Sequence, residues 1–169
     1  MLLNLSTLKD HPGGTIPFQI VLDLHELAFG GCCPVTEPVT AVGEVRNSAG
    51  VFVLGGTVAT TLHGSCDRCA RDVVKPVEFP LHAILAEELS NDDGEEDPWL
   101  FLLENGCADL DDIVTTTFVL SMDSKLLCRE DCKGLCSTCG KNLNLGPCGC
   151  RKSLDPRFAV LEQLLDNKK

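Results

Sequence analysis

Hydrophobic and polar residues alternate along much of the first half of the chain. Between residues 51 and 65 the large apolar side chains fall on one parity, at Phe52, Leu54, Val58 and Leu62. A period of two residues is typical of a β-strand that buries one face and exposes the other. The pattern therefore predicts a half-buried strand over this stretch.

The same alternation marks other parts of the sequence. A second run has its apolar residues on one face, at Val77, Phe79, Leu81, Ala83 and Leu85, and Glu78 and His82 on the other. Segments 16–24 and 39–46 are further predicted strands, and residues 47–50 have the composition of a turn. Strands at this spacing predict an α+β, β-rich protein built on a small antiparallel sheet or a partly closed barrel, with one or two helices.

One helix is predicted after these strands and another near the end of the sequence. Asp109 can cap a helix over residues 109–121, because its carboxylate can accept hydrogen bonds from the free backbone N–H groups of the first turn. The buried stripe of this helix would be Leu110, Ile113, Val114 and Phe118, with Leu120 as a further member. A short C-terminal helix is predicted to begin at Asp155-Pro156 and to bury Phe158, Leu161, Leu164 and Leu165.

Charge divides the chain into an acidic part and a basic part. Residues 1–124 hold 5 Lys/Arg and 20 Asp/Glu, a net of −15, whereas residues 125–169 hold 9 and 5, a net of +4. We therefore predict a β-rich body over 1–124, with an acidic loop at 87–98, and a cysteine-rich tail over 125–169. The acidic loop is either a solvated connector or a docking surface for a basic partner.

The chain holds eleven cysteines, although a protein of 169 residues can bury a core without covalent cross-links. Its first residues lack the pattern of a leader peptide, and no window is apolar for the length of a membrane span. We therefore expect a cytoplasmic protein. Disulfides are rare in that compartment, so closely spaced cysteines are more typical of metal ligands or redox groups.

Eight of the cysteines form four close pairs, enough for two tetrahedral zinc sites. Cys136 and Cys139 have the spacing that lets two thiolates reach one ion, and a glycine follows them to permit the tight turn. Cys148 and Cys150 return after a short glycine-containing loop. The first predicted zinc site therefore consists of these four residues.

A second site can join the remaining two pairs. Cys66 and Cys69 lie at the tip of the predicted hairpin, and Cys128 and Cys132 begin the tail. Four thiolates from these pairs would connect sheet and tail, and the alternative is that Cys66 and Cys69 are free thiols in a turn. The cysteines without a spaced partner are Cys32, Cys33 and Cys107.

We expect a non-enzymatic protein. All-thiolate zinc sites are closed, whereas a catalytic zinc keeps an open position. The histidines lie outside the tail, and only His63 is near a cysteine pair, at Cys66. A thiol-redox role is the enzymatic rival, but redox Cys-x-x-Cys motifs usually open a helix after a strand, and this one lies between two predicted strands.

With these motifs in this order, the chain resembles the YceD family, the large ribosomal RNA subunit accumulation proteins. The resemblance rests on Cys66-Asp-Arg-Cys69 after a strand, the acidic loop, and Ala108-Asp-Leu-Asp-Asp-Ile113 leading into a helix. The clostridial-type tail from Cys132 to Asn144 and the ending from Asp155 to Leu161 complete it. It implies a role in 23S ribosomal RNA synthesis, processing or stability, and so in ribosome assembly.

The resemblance leaves two kinds of partner open. If the protein binds ribosomal RNA directly, the candidate phosphate contacts are basic residues of the tail, the alternative being ordinary solubilising charge. These residues are Lys133, Lys141, Arg151, Lys152 and Arg157. If it is an adaptor without RNA contact, its acidic body would dock a basic ribosomal protein.

Overall fold

The computed structural model describes residues 1–29, 31–87 and 98–150. Its strands are β1 (Leu2–Asn4), β2 (Thr15–Leu22), β3 (Val39–Ser48), β4 (Val51–Ser65), β5 (Asp72–Ala86), β6 (Leu100–Leu102) and β7 (Cys107–Asp109). Its α-helices are α1 (Ser6–Lys9) and α2 (Leu110–Ser121), and a 3-10 helix spans Leu143–Leu145. The predicted α+β, β-rich class is confirmed.

The main sheet has the strand order β2-β3-β4-β5-β6. Its first four strands are antiparallel, as predicted, whereas β6 pairs with β5 in parallel. The described strands form an open sheet with β2 and β6 at its edges, so they do not close into a complete barrel. A second sheet, in which β1 pairs with β7, was not predicted because each of its strands has only 3 residues.

The alternation of the two long strands is confirmed by burial. On β4 the buried residues include Phe52, Leu54, Val58 and Leu62, and the buried residues of β5 include Leu81, Ala83 and Leu85. Val77 and Phe79 are partly buried against the same core, while Glu78 and His82 are exposed. One face of the sheet therefore carries the core, as a period of two residues requires.

The predicted turn at 47–50 is shorter than expected. β3 continues to Ser48, and only Ala49 and Gly50 connect it to β4. Both have positive φ, at 53° and 93°, which is the backbone of a two-residue hairpin turn that matches strand twist. Asn47 is buried: its amide donates to the Leu8 carbonyl (2.7 Å), and its side-chain oxygen accepts from the Gly50 N–H (2.9 Å).

The predicted helix at 109–121 is confirmed as α2. The Asp109 carboxylate accepts a hydrogen bond from the Asp111 N–H at 3.1 Å and caps the helix. The predicted stripe is buried except for Leu120, which is 52% exposed. Leu120 lies two residues after Phe118, about 200° around the helix, so it faces away from the sheet, and Thr117 is buried instead.

Two predictions fall on parts of the chain that lie outside the described residues. These are the centre of the acidic loop, at 88–97, and the C-terminal helix after Asp155. The division of the chain at residue 124 stays a prediction. Neither α-helix in the described ranges has the length and apolar composition needed to cross a bilayer.

Candidate metal centre

A tight loop joins β4 to β5 and carries the first cysteine pair. The Cys66 N–H donates to the Arg71 carbonyl (2.7 Å), and the Ala70 N–H donates to the Cys66 carbonyl (2.8 Å). Ala70, directly after Cys69, has a φ of 53°. The chain reverses within this loop, and the Sγ atoms of Cys66 and Cys69 lie within 4.8 Å of each other.

The tail repeats this turn at the second Cys-x-x-Cys. The Cys136 N–H donates to the Lys141 carbonyl (2.8 Å), and the Gly140 N–H donates to the Cys136 carbonyl (2.8 Å). Gly140, directly after Cys139, has a φ of 71°. Both loops therefore need a left-handed residue after the second cysteine, which the sequence supplies as glycine in the tail and as alanine in the hairpin.

Four sulfurs meet where the hairpin loop contacts the tail, and we call Cys66, Cys69, Cys128 and Cys132 the inner quartet. All four Sγ atoms lie within 4.8 Å of one another. The Cys66–Cys132 and Cys69–Cys128 sulfur distances are 3.9 and 3.7 Å. Zinc–sulfur bonds of about 2.3 Å in a tetrahedron place the sulfurs about 3.8 Å apart, so the spacing fits one zinc ion.

Three of the four thiols of the inner quartet are closed off from solvent, and Cys128 is partly buried. Cys66, Cys69 and Cys132 are 2%, 5% and 4% exposed, and they pack with Val73 in a small apolar cluster of their own. Leu126, Leu127 and Cys128 cover the cluster. An ion held here would have protein sulfurs around it and apolar side chains behind them.

The remaining two pairs form the outer quartet, Cys136, Cys139, Cys148 and Cys150. Its four Sγ atoms also lie within 4.8 Å of one another, so the structure brings together the same four residues that the spacing indicated. Lys141 supports the arrangement, because its ammonium donates to the Pro147 carbonyl at 2.9 Å. Cys139 is exposed, so this quartet is more open to solvent than the inner one.

Hydrogen bonds give the thiols of each quartet unequal acidity. Burial raises the pKa of Cys66, but backbone N–H groups of Cys128, Arg68 and Cys69 outweigh it and lower the pKa to about 6. Burial and the neighbouring thiols raise the pKa of Cys128 to about 12. A bound cation would favour loss of this proton.

The outer quartet shows the same contrast. Backbone N–H groups of Cys139 and Thr138 lower the pKa of Cys136 to about 6. A hydrogen bond with the Cys139 side chain, followed by burial, raises the pKa of Cys150 to about 12. The inner quartet has a second thiol of lowered pKa: burial raises the pKa of Cys132, but hydrogen bonds led by that of the Asn144 amide outweigh it. A bound cation would favour ionisation of the remaining thiols in each quartet.

Two residues between Cys66 and Cys69 fasten the tail to the hairpin. The Leu126 N–H donates to the Asp67 carboxylate at 2.6 Å. The Arg68 guanidinium donates to the carbonyls of Glu130 and Cys132, both at 3.0 Å. These contacts bring the tail against the loop through groups other than the sulfurs.

Gly134 completes the contact between hairpin and tail. It has a φ of 73°, and a Cβ added there would lie 2.9 Å from the Arg68 carbonyl oxygen. The next residue, Leu135, donates its N–H to that same carbonyl at 2.9 Å. A glycine at this point therefore allows the tail backbone to approach the hairpin.

Asn144 was named only as the end of the tail motif, and sequence reasoning gave its side chain no role. Its amide nitrogen donates to the Cys132 sulfur at 3.3 Å, although Asn144 lies in the loop of the outer quartet. The only signal in the sequence is a pair of asparagines, Asn142 and Asn144, between the two halves of that quartet. Asp67 and Arg68 were seen as part of a motif, without a role of their own.

The other residues singled out by the sequence lie outside both quartets. His63 faces the Glu37 carboxylate at 3.3 Å, and Cys32 and Cys33 are exposed. Lys133 is exposed at the surface of the tail, and Lys141 is hydrogen-bonded within the outer loop. The further basic residues proposed for RNA contact, Arg151, Lys152 and Arg157, fall outside the described residues.

The fold and this centre define a class of protein: an open β-sheet whose β4–β5 hairpin is joined to a cysteine-rich segment by a group of sulfurs able to hold metal. The family model described as Large ribosomal RNA subunit accumulation protein YceD matches residues 54–165. The chain belongs to the YceD family, as its motifs indicated. The family's description supports a role in the accumulation of large-subunit ribosomal RNA.

Similar proteins occur in mycobacteria. An uncharacterized protein of Mycobacterium tuberculosis and one of Mycobacterium bovis are each 30% identical to this chain over 150 residues, covering 88% of it and 70% of their own length. An uncharacterized protein of Mycobacterium leprae is 25% identical over 175 residues, covering 98% of this chain and 77% of its own length. No solved structure matches the chain.

Proposed function

We propose that this protein is a non-enzymatic factor in 23S ribosomal RNA accumulation and large-subunit assembly, and that its two quartets hold structural zinc. The observation that supports the role is the family match over residues 54–165, a range that spans the β4–β5 hairpin, α2 and both quartets. The function therefore belongs to the part of the chain in which hairpin and tail are joined.

The donor set supports zinc as the metal of both quartets. Four thiolates in a tetrahedron suit zinc, and they leave no open position for water, so a bound ion would cross-link the chain and not activate a substrate. At the inner quartet, Cys66 and Cys69 would hold the ion from the hairpin, and Cys128 and Cys132 from the tail. In this proposal the cross-link holds the sheet and the tail together, so that they form one rigid surface.

Charge bears on how that surface meets the ribosome. The net charge of +4 in the tail region falls when cysteines ionise, because each zinc with four thiolates carries a net charge of −2. Several basic groups are also engaged: Arg129 donates to Asn144 at 2.7 Å, and Lys141 donates to Pro147. Of the two predicted phosphate contacts in the described ranges, Lys133 is the better placed, because its side chain is exposed and has no such partner, whereas Lys141 is engaged.

The same charges support a second candidate, a protein adaptor. The body has a net charge of −15 and the metal-loaded tail is close to neutral, so a basic ribosomal protein would be attracted where RNA would be repelled. In this version the effect on ribosomal RNA is indirect, because it acts through a large-subunit protein that the factor delivers or stabilises.

The role is tested by depletion in the host. Loss of the protein is expected to lower the ratio of large- to small-subunit ribosomal RNA, and wild-type complementation is expected to restore it. An unchanged ratio would contradict the role. Crosslinking in cells separates the two candidates. Direct contact predicts that 23S fragments are recovered with the wild-type protein and with the body variant Lys9→Ala, and that they are lost with Lys133→Ala. Recovery of ribosomal protein alone favours the adaptor.

Metal analysis tests the zinc. Protein made in zinc-sufficient medium is expected to hold two zinc ions per chain, and the double variant Cys66→Ser/Cys69→Ser is expected to hold one. Replacing Cys32 and Cys33, which lie outside both quartets, by serine is the matched control and should leave two. Wild-type protein without zinc would refute this proposal, while the role in ribosomal RNA accumulation would stand on its own test.

A further inference from the structure

One side chain connects the two quartets. Asn144 lies in the 3-10 helix Leu143–Leu145, between Cys139 and Cys148 of the outer quartet, yet its amide nitrogen donates to the Cys132 sulfur of the inner quartet at 3.3 Å. A hydrogen bond to a metal-binding group fixes its orientation and moderates its charge. Asn144 is therefore placed to act on the inner site from within the loop of the outer site.

The position of Asn144 is fixed by several hydrogen bonds. Its side-chain oxygen accepts from the Lys133 N–H at 2.9 Å and from the Arg129 guanidinium at 2.7 Å. Its backbone N–H and side-chain nitrogen both donate to the Asn142 side-chain oxygen, at 2.9 and 2.8 Å. These hydrogen bonds hold the side-chain amide of Asn144 in one orientation. In that orientation its remaining N–H points at the Cys132 sulfur.

The outer loop itself is attached to the segment that follows Cys132. Leu143 donates its N–H to the Gly134 carbonyl at 2.9 Å, and Leu135 and Asn142 form a β-bridge. Folding of the outer loop therefore carries Asn144 to the inner sulfur, and disorder of the loop would withdraw it.

The two quartets differ in how far apart their ligands lie in the sequence. The outer ligands all fall between residues 136 and 150, so a metal ion can order that loop locally. The inner site joins residues 59 and 66 positions apart, so it requires the hairpin and the tail to be docked first. Closing a longer loop costs more chain entropy. Metal binding at the inner site therefore depends more on the rest of the structure than metal binding at the outer site does.

We propose that Asn144 couples the two metal sites: metal at the outer quartet orders the loop that presents Asn144 to Cys132, and thereby raises the affinity of the inner quartet for metal. Asn144 is a positioning residue and not a ligand. The inference rests on the proposed metal content of the quartets. Because coupling between binding sites is reciprocal, metal at the inner quartet also tightens the outer one.

The size of the effect follows from known cases. Loss of an outer-shell hydrogen bond typically weakens metal binding by roughly 10- to 100-fold. We therefore expect the inner site to lose at least about tenfold in affinity when the outer quartet is disabled by Cys136→Ser/Cys139→Ser. Asn144→Asp should produce a loss of the same order with the outer quartet intact, because it keeps the oxygen that accepts from Lys133 and removes the N–H that faces sulfur.

The experiment is a titration of the full-length reduced protein with Co²⁺ or Zn²⁺ against a competing chelator. Four chains are compared: wild type, the outer-quartet double variant, Asn144→Asp, and the combination. Asn105→Asp is the charge-matched control, because Asn105 lies in the turn before β7, away from both quartets. Asn144→Leu is added because a new carboxylate near the site could itself bind metal.

The proposal predicts that the combined variant is no weaker than the outer-quartet variant alone, because both changes remove the same hydrogen bond. It also predicts that, in a chain lacking Cys66 and Cys69, Asn144→Asp weakens the outer site less than it weakens the inner site of the chain with both quartets, because only the Asn144–Asn142 hydrogen bond is then lost. A role for Asn144 in the outer loop alone would place the whole loss on the outer site, so this measurement separates positioning from local structure.

Two results would overturn the coupling. One is an inner affinity that stays within about twofold of wild type in both the outer-quartet variant and the Asn144 variants; the other is effects that multiply when combined. If both quartets bind metal independently, the coupling alone is wrong. If neither binds metal, the zinc proposal is wrong as well, and the coupling is overturned with it.

Discussion

Ala70 and Gly140 occupy the same place in two copies of one turn, each directly after the second cysteine of a Cys-x-x-Cys pair. Both have a left-handed backbone, with φ of 53° and 71°. A left-handed conformation costs a residue with a Cβ about 1–2 kcal/mol, and glycine does not bear that cost. The left-handed conformation of Ala70 therefore costs free energy in the hairpin loop, and the neighbouring hydrogen bonds must offset that cost.

This symmetry gives a prediction at a single position. Gly140→Ala is expected to weaken metal binding at the outer quartet by roughly tenfold, because a Cβ there meets no atom within 4 Å and backbone strain is the whole effect. Gly149→Ala is the matched control, since Gly149 lies in the same loop, has no positive φ and has equal space. Chelator competition measures both.

The reverse substitution tests the other turn. Ala70→Gly is expected to tighten the inner quartet severalfold, because relief of strain exceeds the added entropy of glycine in the unfolded chain. The same competition assay applies. Weaker binding would show that Ala70 is not strained in this loop and would contradict the equivalence of the two turns.

At the scale of elements, α2 packs against β5 of the main sheet and β1 of the small sheet. Phe118 is fully buried and its ring meets Phe79 of β5 edge to face, with centroids 5.8 Å apart. The helix begins where the Asp109 carboxylate accepts the Asp111 N–H. Packing and capping therefore both decide its stability.

Removing the ring of Phe118 is expected to destabilise the protein strongly. Phe118→Ala should lower the free energy of unfolding by about 3–5 kcal/mol, because it leaves a cavity at a fully buried position. Leu120→Ala, on the exposed side of the same helix, should change it by less than about 0.5 kcal/mol. Urea unfolding at fixed zinc concentration compares the two, and equal losses would contradict the observed orientation of α2.

The cap gives a smaller and separate effect. Asp109→Ala is expected to cost about 1 kcal/mol of unfolding free energy, because the first turn of α2 loses a hydrogen bond to a free N–H. Asp112→Ala removes an exposed acidic residue from the same turn without removing a cap, and it should cost a few tenths of a kcal/mol. If both variants lose the same unfolding free energy, then interaction of acidic charge with the helix dipole, and not capping, stabilises the N-terminal end of α2.

At the scale of the whole molecule, the inner quartet is the joint between sheet and tail. It connects the β4–β5 hairpin to residues 59 and 66 positions away, whereas the outer quartet closes a loop within the tail. A cross-link over a longer stretch removes more freedom from the unfolded chain. The two quartets should therefore differ in what they stabilise.

We expect Cys66→Ser to lower the melting temperature of the metal-loaded protein by about 10 °C and to make residues 125–150 accessible to protease, because the hairpin and the tail separate. Cys136→Ser should loosen the outer loop with a smaller change in melting temperature. Cys107→Ser, at a thiol outside both quartets, is the control. Thermal melts and limited proteolysis with mass spectrometry report the two effects, and a larger loss for Cys136→Ser would contradict this division.

Local patterns were sufficient for much of this protein. The alternation along β4 and β5 predicted which face of each strand is buried, and the capped apolar stripe with a 3.6-residue repeat predicted α2. Both patterns depend only on residues a few positions apart. The outer quartet belongs to the same group, since its ligands lie within one short stretch and its glycine follows the second cysteine. Leu120 was assigned to the core wrongly because an apolar residue at the end of a helix need not continue the stripe.

Tertiary structure decided what depends on residues distant in the sequence. The inner quartet was one of two alternatives for Cys66 and Cys69 until hairpin and tail were placed side by side. The parallel pairing of β6 and the core role of Asn47 left no local signal, and for the bond from Asn144 to Cys132 the sequence offered no more than two nearby asparagines. The sequence by itself determined which segments form strands, helix and cysteine turns; only the fold determined which of them touch, because distances across long loops are set by packing and not by spacing.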